Sequence, residues 1–265
     1  MNRRHFLLAG VAASGSFSGF SRADSSIVHI NDAINKSGRQ RMLSQRLAKS
    51  YLQIGQEVDL ARSSKIFNVS LALFERQLGE LEAFAPTAEC RATLTELRKT
   101  WGRYKGALIS NAPNRLDAKA VMAISEEVLA LAHTVTVQLE KSSGTAAAHL
   151  VNISGRQRML SQRMAKFYQA INWGVASPDA LMNLAKAREE FLRAMKELSD
   201  SPKNTSAIKQ EITLAQQQWL FFDQALKSSA DSNESKFRFA TNVATTSERI
   251  LETMDRITGM YEQLS

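Results

Sequence analysis

Two arginines, Arg41 and Arg158, hold the same place in two copies of one short stretch, and their chemistry suits the binding of an anion. The stretch reads Ser-Gly-Arg-Gln-Arg-Met-Leu-Ser-Gln-Arg from Ser37 and recurs, letter for letter, 117 residues later from Ser154. A guanidinium presents forked N–H donors that match a small planar oxyanion. The repeat therefore suggests one site to which each copy contributes an arginine.

On a helix, each copy of the repeat forms a seam that differs from ordinary core. At 100° per residue, a glycine, an arginine and a glutamine fall along one narrow stripe in each copy. We predict that these six residues bind the ligand: Gly38, Arg41, Gln45, Gly155, Arg158 and Gln162. A glycine lowers helix stability by about 1 kcal/mol relative to alanine, but it lets another backbone approach closely. An arginine at a seam is costly to desolvate unless an anion neutralises it, and the repeated stretch contains no acid.

The rest of the chain is typical of a helical scaffold. The 265 residues are 44% hydrophobic and 23% charged, with 4 prolines and 12 glycines, a composition that favours packed helices over a β-protein rich in turns. Apolar spacing and breaks at proline and glycine predict an all-α protein of eight helices. These span about 27–56, 60–84, 88–109, 116–141, 146–173, 179–198, 205–227 and 234–264. Asn31 or Asp32 is the predicted cap of the first helix, and Asp117 that of the fourth.

Helices five to eight repeat the plan of helices one to four. We therefore predict two tandem up-down-up-down four-helix bundles, at 24–143 and 144–265, related by a pseudo-two-fold axis. The matching Trp101 and Trp219 are interpreted as core anchors. An up-down bundle returns the chain to its starting end, so the two first helices should run parallel, with Arg41 facing Arg158. The alternative is that both arginines extend outward or pair with acids such as Glu126.

The flanking arginines and the histidines receive simpler interpretations. Arg39 and Arg46 lie on a side of the first helix that we expect to be solvated. In the alternative where the arginines pair with acids, Glu248 is a second candidate partner. His133 is expected at the surface or between helices.

Residues 1–23 are interpreted as an export signal and excluded from the fold. Arg3 and Arg4 precede a moderately apolar stretch and resemble a twin-arginine signal, with cleavage near Ala23. A cleaved Sec-type signal is the alternative and gives the same location. The apolar run is too short to span a membrane, and no later segment is expected to be apolar enough. We therefore expect a soluble periplasmic protein.

Several classes of function are disfavoured by composition. The formal charge of +8 falls to +5 without the three arginines of residues 1–23, and no basic run indicates nucleic acid. Cys90 is the one cysteine, and the four histidines show no metal-ligand spacing. No nucleophile elbow or phosphate loop is present. We therefore predict no enzyme activity, no catalytic residue, no metal and no cofactor.

The repeated stretch also resembles a known family. Ile34-Asn35-x-Ser37-Gly38-x-x-Arg41-Met42 is similar to the P-box of NarX-type nitrate sensor kinases. The fuller Gly-Arg-Gln-Arg-Met-Leu-Ser-Gln-Arg-x-Ala-Lys is similar to the PilJ-type domain, the N-terminal domain of type IV pili methyl-accepting chemotaxis transducers. Such receptors dimerise and bind nitrate between paired first helices. The resemblance implies two tandem copies that replace a homodimer, with Arg41 and Arg158 as binding arginines and Gly38 and Gly155 beside them.

The sequence therefore predicts a soluble periplasmic protein that binds or senses a small oxyanion such as nitrate or nitrite. As a pseudo-dimer within one chain it could act as a monomer. It would report to a separate membrane sensor or transporter, because no output domain is recognised. The alternative is an adaptor without a ligand, whose helical surface docks on a receptor or on a type IV pilus or chemotaxis component.

Overall fold

The fold is all-helical, as the sequence predicts. The computed structural model describes residues 26–228 and 232–264, and the predicted export signal lies outside them. The helices in these residues are α1 (Ile30–Gly55), α2 (Leu60–Phe84), α3 (Ala88–Ile109), α4 (Arg115–Ser143), α5 (Ala146–Trp173), α6 (Ala180–Asp200), α7 (Ser206–Lys227) and α8 (Asn233–Glu262).

Side-chain caps set the start of five of these helices, where a hydroxyl or amide oxygen accepts a backbone N–H of the first turn. The capping residues are Thr87, Asn114, Thr145, Thr205 and Ser232. The predicted caps of α1 and α4 are wrong. Helix α1 starts after His29 without a side-chain cap, and α4 is capped by Asn114. Asp32 and Asp117 lie inside the first turns, where a negative charge is favourable.

The eight helices form two four-helix bundles that share a central pair, α1 and α5. Helix α1 packs on α2 and α4, α5 packs on α6 and α8, and α3 and α7 lie outside against α4 and α8. Equivalent aromatic stacks fill the bundles. The Trp101 ring lies 3.9 Å from Phe74, and the Trp219 ring lies 4.5 Å from Phe191. The interpretation of both tryptophans as core anchors is confirmed.

Helices α1 and α5 run parallel and in register. Near their starts, Arg158 Nη2 donates to the carbonyl oxygen of Asn35 at 3.2 Å. Near their ends, Gln56 Nε2 donates to the carbonyl oxygen of Gln169 at 3.2 Å. Contacts that advance together along both helices require a parallel pair, so the predicted pseudo-two-fold arrangement is confirmed. The division of the chain at residues 143 and 144 stays a prediction.

One expectation about hydropathy is wrong. Among the described residues, α4 is long and apolar enough to cross a membrane, judged by length and composition only. Its apolar stripe includes Val121, Val128 and Val135, all buried in this fold. Helix α4 packs against α1 and α3, so these valines belong to the core of the bundle.

Candidate functional site

Arg41 and Arg158 meet where Gly38 of α1 faces Gly155 of α5. Their exposed fractions are 1% and 0%. A Cβ atom built on Gly38 would lie 3.1 Å from Arg41 Nη2 and 3.5 Å from Arg158 Nη2. The same atom built on Gly155 would have the converse distances, 3.1 Å to Arg158 Nη2 and 3.5 Å to Arg41 Nη2. Both guanidiniums therefore lie over the two glycines. Because glycine has no side chain, it leaves space for the guanidinium groups.

Each arginine reaches across to the helix of the other copy. Arg41 Nη2 donates to the carbonyl oxygen of Asn152 at 3.1 Å. Arg158 Nη2 donates to the carbonyl oxygen of Asn35 at 3.2 Å and to its Oδ1 at 2.8 Å. These bonds fix the two guanidiniums at the axis. The Nε atoms of both arginines are buried without a hydrogen-bond partner in the described structure.

The two arginines differ in the neighbour supplied by the last helix of their own copy. Arg158 Nη1 donates to the carboxylate of Asp255 on α8, which also accepts from Arg39 Nη2 at 2.8 Å. Arg41 Nη1 instead lies 3.4 Å from Nδ1 of His133 on α4. No carboxylate in the described residues accepts a hydrogen bond from Arg41.

The electrostatics of the site follow these neighbours. Burial, and then the positive charges of Arg156 and Arg158, lowers the pKa of Arg41 to about 9. Burial lowers the pKa of Arg158 to about 10, against the opposing charge of Asp255. Both guanidiniums stay protonated near neutral pH. The site is therefore a buried positive field, stronger on the side of Arg41, to which an anion is electrostatically suited.

Gln45 and Gln162 are placed by other contacts. Gln45 Nε2 donates to the carbonyl oxygen of Ser125 at 3.0 Å, and Gln162 Nε2 donates to that of Ser247 at 3.0 Å. Each amide thus ties a first helix to the fourth helix of the same copy. The side-chain N–H groups of both glutamines already donate within the protein. No contact tests a role for them in binding an anion, and that role stays a prediction.

The expectation that Arg39 and Arg46 are solvated is wrong. Their side chains are 21% and 17% exposed and pair with Asp255 and Glu248 respectively. Acids from a helix of the other copy reach these flanks, an arrangement that the α1 sequence alone does not show. Arg46 is thus the arginine that pairs with Glu248, while the seam arginine Arg158 pairs with Asp255.

Two lysines of the repeat, which sequence reasoning passed over, are fully buried. Lys49 pairs with Glu248 of the second copy, and Lys166 pairs with Glu126 of the first copy. The signal was available in the sequence: Ala-Lys follows both repeats, and Ser-Glu recurs at 125–126 and 247–248. His133 lies eight residues after Ser125, and Asp255 lies eight residues after Ser247. No repeated letters mark these two positions, because the residue differs between the copies.

The fold and the paired arginines define a class of protein, a duplicated helical domain whose two copies share one central helix pair. The family model for the type IV pili methyl-accepting chemotaxis transducer N-terminal domain, PilJ, matches residues 25–124 and again residues 139–241. The chain belongs to this family and contains two tandem copies of its domain. No curated protein and no solved structure matches the chain. The narrower likeness to NarX-type nitrate sensors stays a prediction.

Proposed function

We propose that this chain is a periplasmic sensory protein that binds a small oxyanion, such as nitrate or nitrite, between α1 and α5. It would report the bound state to a separate membrane sensor or transporter, without nucleic acid or a cofactor, and its internal pseudo-dimer would let it work as a monomer. Export by the predicted signal at 1–23 belongs to this proposal.

The observation that carries the proposal is the burial of Arg41. A fully buried guanidinium is expensive to desolvate, and the expense is offset when a carboxylate or another anion binds it. Arg41 donates to one carbonyl oxygen and lies 3.4 Å from one imidazole nitrogen. Its Nε has no partner in the described residues. An oxyanion on the guanidinium would supply a directly bound negative charge, which Arg41 lacks in the described residues.

The proposal is tested by isothermal titration of the folded protein with nitrate, nitrite, chloride and sulfate. We expect one nitrate or nitrite per chain and loss of the heat in Arg41→Ala. Arg103→Ala is the matched control, because Arg103 is an exposed arginine that pairs with Glu127 on the outer helices. Arg39 is unsuitable as a control, since it contacts Asp255. Circular dichroism confirms that each variant is folded.

Exposed apolar side chains favour a second candidate, the helical adaptor. The outer helices of the second copy present three large apolar residues with exposed fractions of 69, 68 and 71%: Leu181, Leu220 and Phe221. The offset of 117 residues that aligns Phe191 with Phe74 places Leu181 opposite Ser64. The offset of 118 that aligns Trp219 with Trp101 places Leu220 and Phe221 opposite Gly102 and Arg103. The first copy has no apolar side chain at these equivalent positions, so these exposed residues of the second copy are candidates for a protein contact. Silence toward every oxyanion in a folded protein would favour this candidate.

A further inference from the structure

The pseudo-two-fold axis relates the helices of the site but not its charges. His133 lies eight residues after Ser125, and Asp255 lies eight residues after Ser247, so they hold equivalent positions on α4 and α8. Arg158 Nη1 donates to the Asp255 carboxylate, whereas the equivalent atom of Arg41 faces an imidazole nitrogen at 3.4 Å. One half of the site thus contains an acid that the other half lacks.

The flanking arginines strengthen this difference. Arg39, on α1, also donates to Asp255, at 2.8 Å, so the carboxylate binds one guanidinium from each copy. The residue equivalent to Arg39 is Arg156 on α5, which pairs with Glu190 on α6 instead. Neither contact brings a carboxylate to the Arg41 guanidinium.

The charges of the residues involved, and not their exposure, favour a ligand on the first half. Arg41 and Arg158 are buried, and His133 and Asp255 are both only partly buried. A small ligand beside His133 would meet the Arg41 guanidinium, which donates to no carboxylate in the described residues. Glu140 and Glu190 oppose its charge without a hydrogen bond to it. A divalent anion would keep one negative charge unmatched in a buried place, which is costly. A monovalent planar anion satisfies the charge balance.

We propose that Asp255 is a built-in counter-anion that occupies Arg158, so that the chain binds a single monovalent oxyanion off the axis, on Arg41 beside His133. Asp255 is then the residue that selects monovalent over divalent anions. This inference rests on the proposed function and refines its site: the two arginines are not equivalent, and the ligand is not shared equally between them.

Exchange of the two equivalent residues is the test, with nitrate and sulfate as probes. His133→Asp gives Arg41 its own carboxylate and should weaken nitrate binding by about tenfold or more, the usual effect of a close buried charge. Asp255→Asn frees Arg158 and should add sulfate binding that the natural chain lacks. Arg158→Ala should weaken nitrate much less than Arg41→Ala. Asp223→Asn is the matched control, because Asp223 pairs with Arg188 far from the site.

A second readout follows the arginines themselves. In a ¹⁵N-labelled protein, nitrate should shift the Nε–H resonance of Arg41 and leave that of Arg158 nearly unchanged. Equal shifts in both resonances, or equal losses of affinity in Arg41→Ala and Arg158→Ala, would overturn the inference and leave the proposed function standing. If neither the natural chain nor Asp255→Asn binds any oxyanion, the proposed function fails as well.

Discussion

Lys49 of the first copy and Glu248 of the second form an ion pair that is sealed from solvent, with exposed fractions of 0% and 3%. The equivalent pair, Lys166 with Glu126, has a buried lysine but a glutamate that is 35% exposed. Each pair joins the first helix of one copy to the fourth helix of the other. The central helices are therefore locked to both bundles by charge as well as by packing.

The first prediction concerns these pairs. Glu248→Gln leaves Lys49 buried without its counter-charge, so the free energy of unfolding should fall by about 3 to 5 kcal/mol. Glu126→Gln should lower it by clearly less, because the exposed carboxylate is already screened by water. Urea unfolding followed by circular dichroism measures both. Equal losses in the two variants would show that burial does not set the strength of these pairs.

The second prediction separates the two arginines by stability. Arg41→Met removes a buried cation that binds no carboxylate, so it should leave the free energy of unfolding unchanged or raise it. Arg158→Met removes a partner of Asp255 and should lower the free energy of unfolding by about 1 to 3 kcal/mol. Each variant loses one bond to an opposing backbone carbonyl, which cancels in the comparison. Arg158→Met also loses the bond to Asn35 Oδ1, which adds to the expected difference. The reverse order in urea unfolding would contradict the assignment of Asp255 to Arg158.

The third prediction concerns pH. Burial, then the charges of Arg41 and Arg156, lowers the pKa of His133 to about 4, against the opposing charges of Glu190 and Glu140. A bound anion beside His133 should raise this pKa, because it favours the imidazolium.

Nitrate binding should then take up a proton, and the affinity should rise as pH falls toward about 4, the pKa of His133 without the anion. Titrations in buffers of different ionisation enthalpy measure the uptake. In His133→Gln the slope should flatten. A slope that is unchanged in this variant would place the titrating group elsewhere.

The fourth prediction uses the glycines under the guanidiniums. A methyl group at Gly38 would lie 3.1 Å from Arg41 Nη2, so the flexible end of that side chain must move. Gly38→Ala should therefore weaken nitrate binding. The fold should lose little, because alanine is better than glycine in a helix by about 1 kcal/mol.

Gly102→Ala is the control for this variant, since no atom lies within 4 Å of the added methyl. It should stabilise α3 and leave nitrate affinity unchanged. If Gly38→Ala binds nitrate with full affinity, nitrate binding does not depend on the position of the guanidiniums over the glycines.

The fifth prediction concerns the far end of the central pair. A methyl group on Gly55 would overlap the indole of Trp173, where the ends of α1 and α5 meet. Gly55→Ala should lower the free energy of unfolding by about 1 to 3 kcal/mol through overpacking. Gly106→Ala meets no atom within 4 Å and should not destabilise. Thermal unfolding distinguishes the two, and equal melting temperatures would contradict the close contact.

Much of the fold was predictable because its signals are local. Apolar stripes, prolines and glycines placed the helix ends to within a few residues, and the duplicated stretch predicted the parallel central pair. The caps of α1 and α4 were wrong because polar residues cluster at both starts, and only the structure shows which one has an extended backbone. His29 and Asn114 do.

The site was only half predictable for a different reason. Arg41, Arg158 and the two glycines are marked by identity between the copies. Asp255 and His133 differ from each other although they hold equivalent positions on α8 and α4. The pattern of a single helix does not show which side chain will face a given guanidinium. Partners that lie on another helix are set by tertiary packing, which the spacing of residues within α1 or α5 does not encode.

The parallel pair of α1 and α5 belongs to one polypeptide, joined through α4 and the short link at Gly144. A receptor that assembles such a pair from two separate chains loses the intact site when it is dilute. Here the effective concentration of one half around the other is fixed by the covalent connection. The midpoint of the proposed anion titration should therefore be the same at low and at high protein concentration.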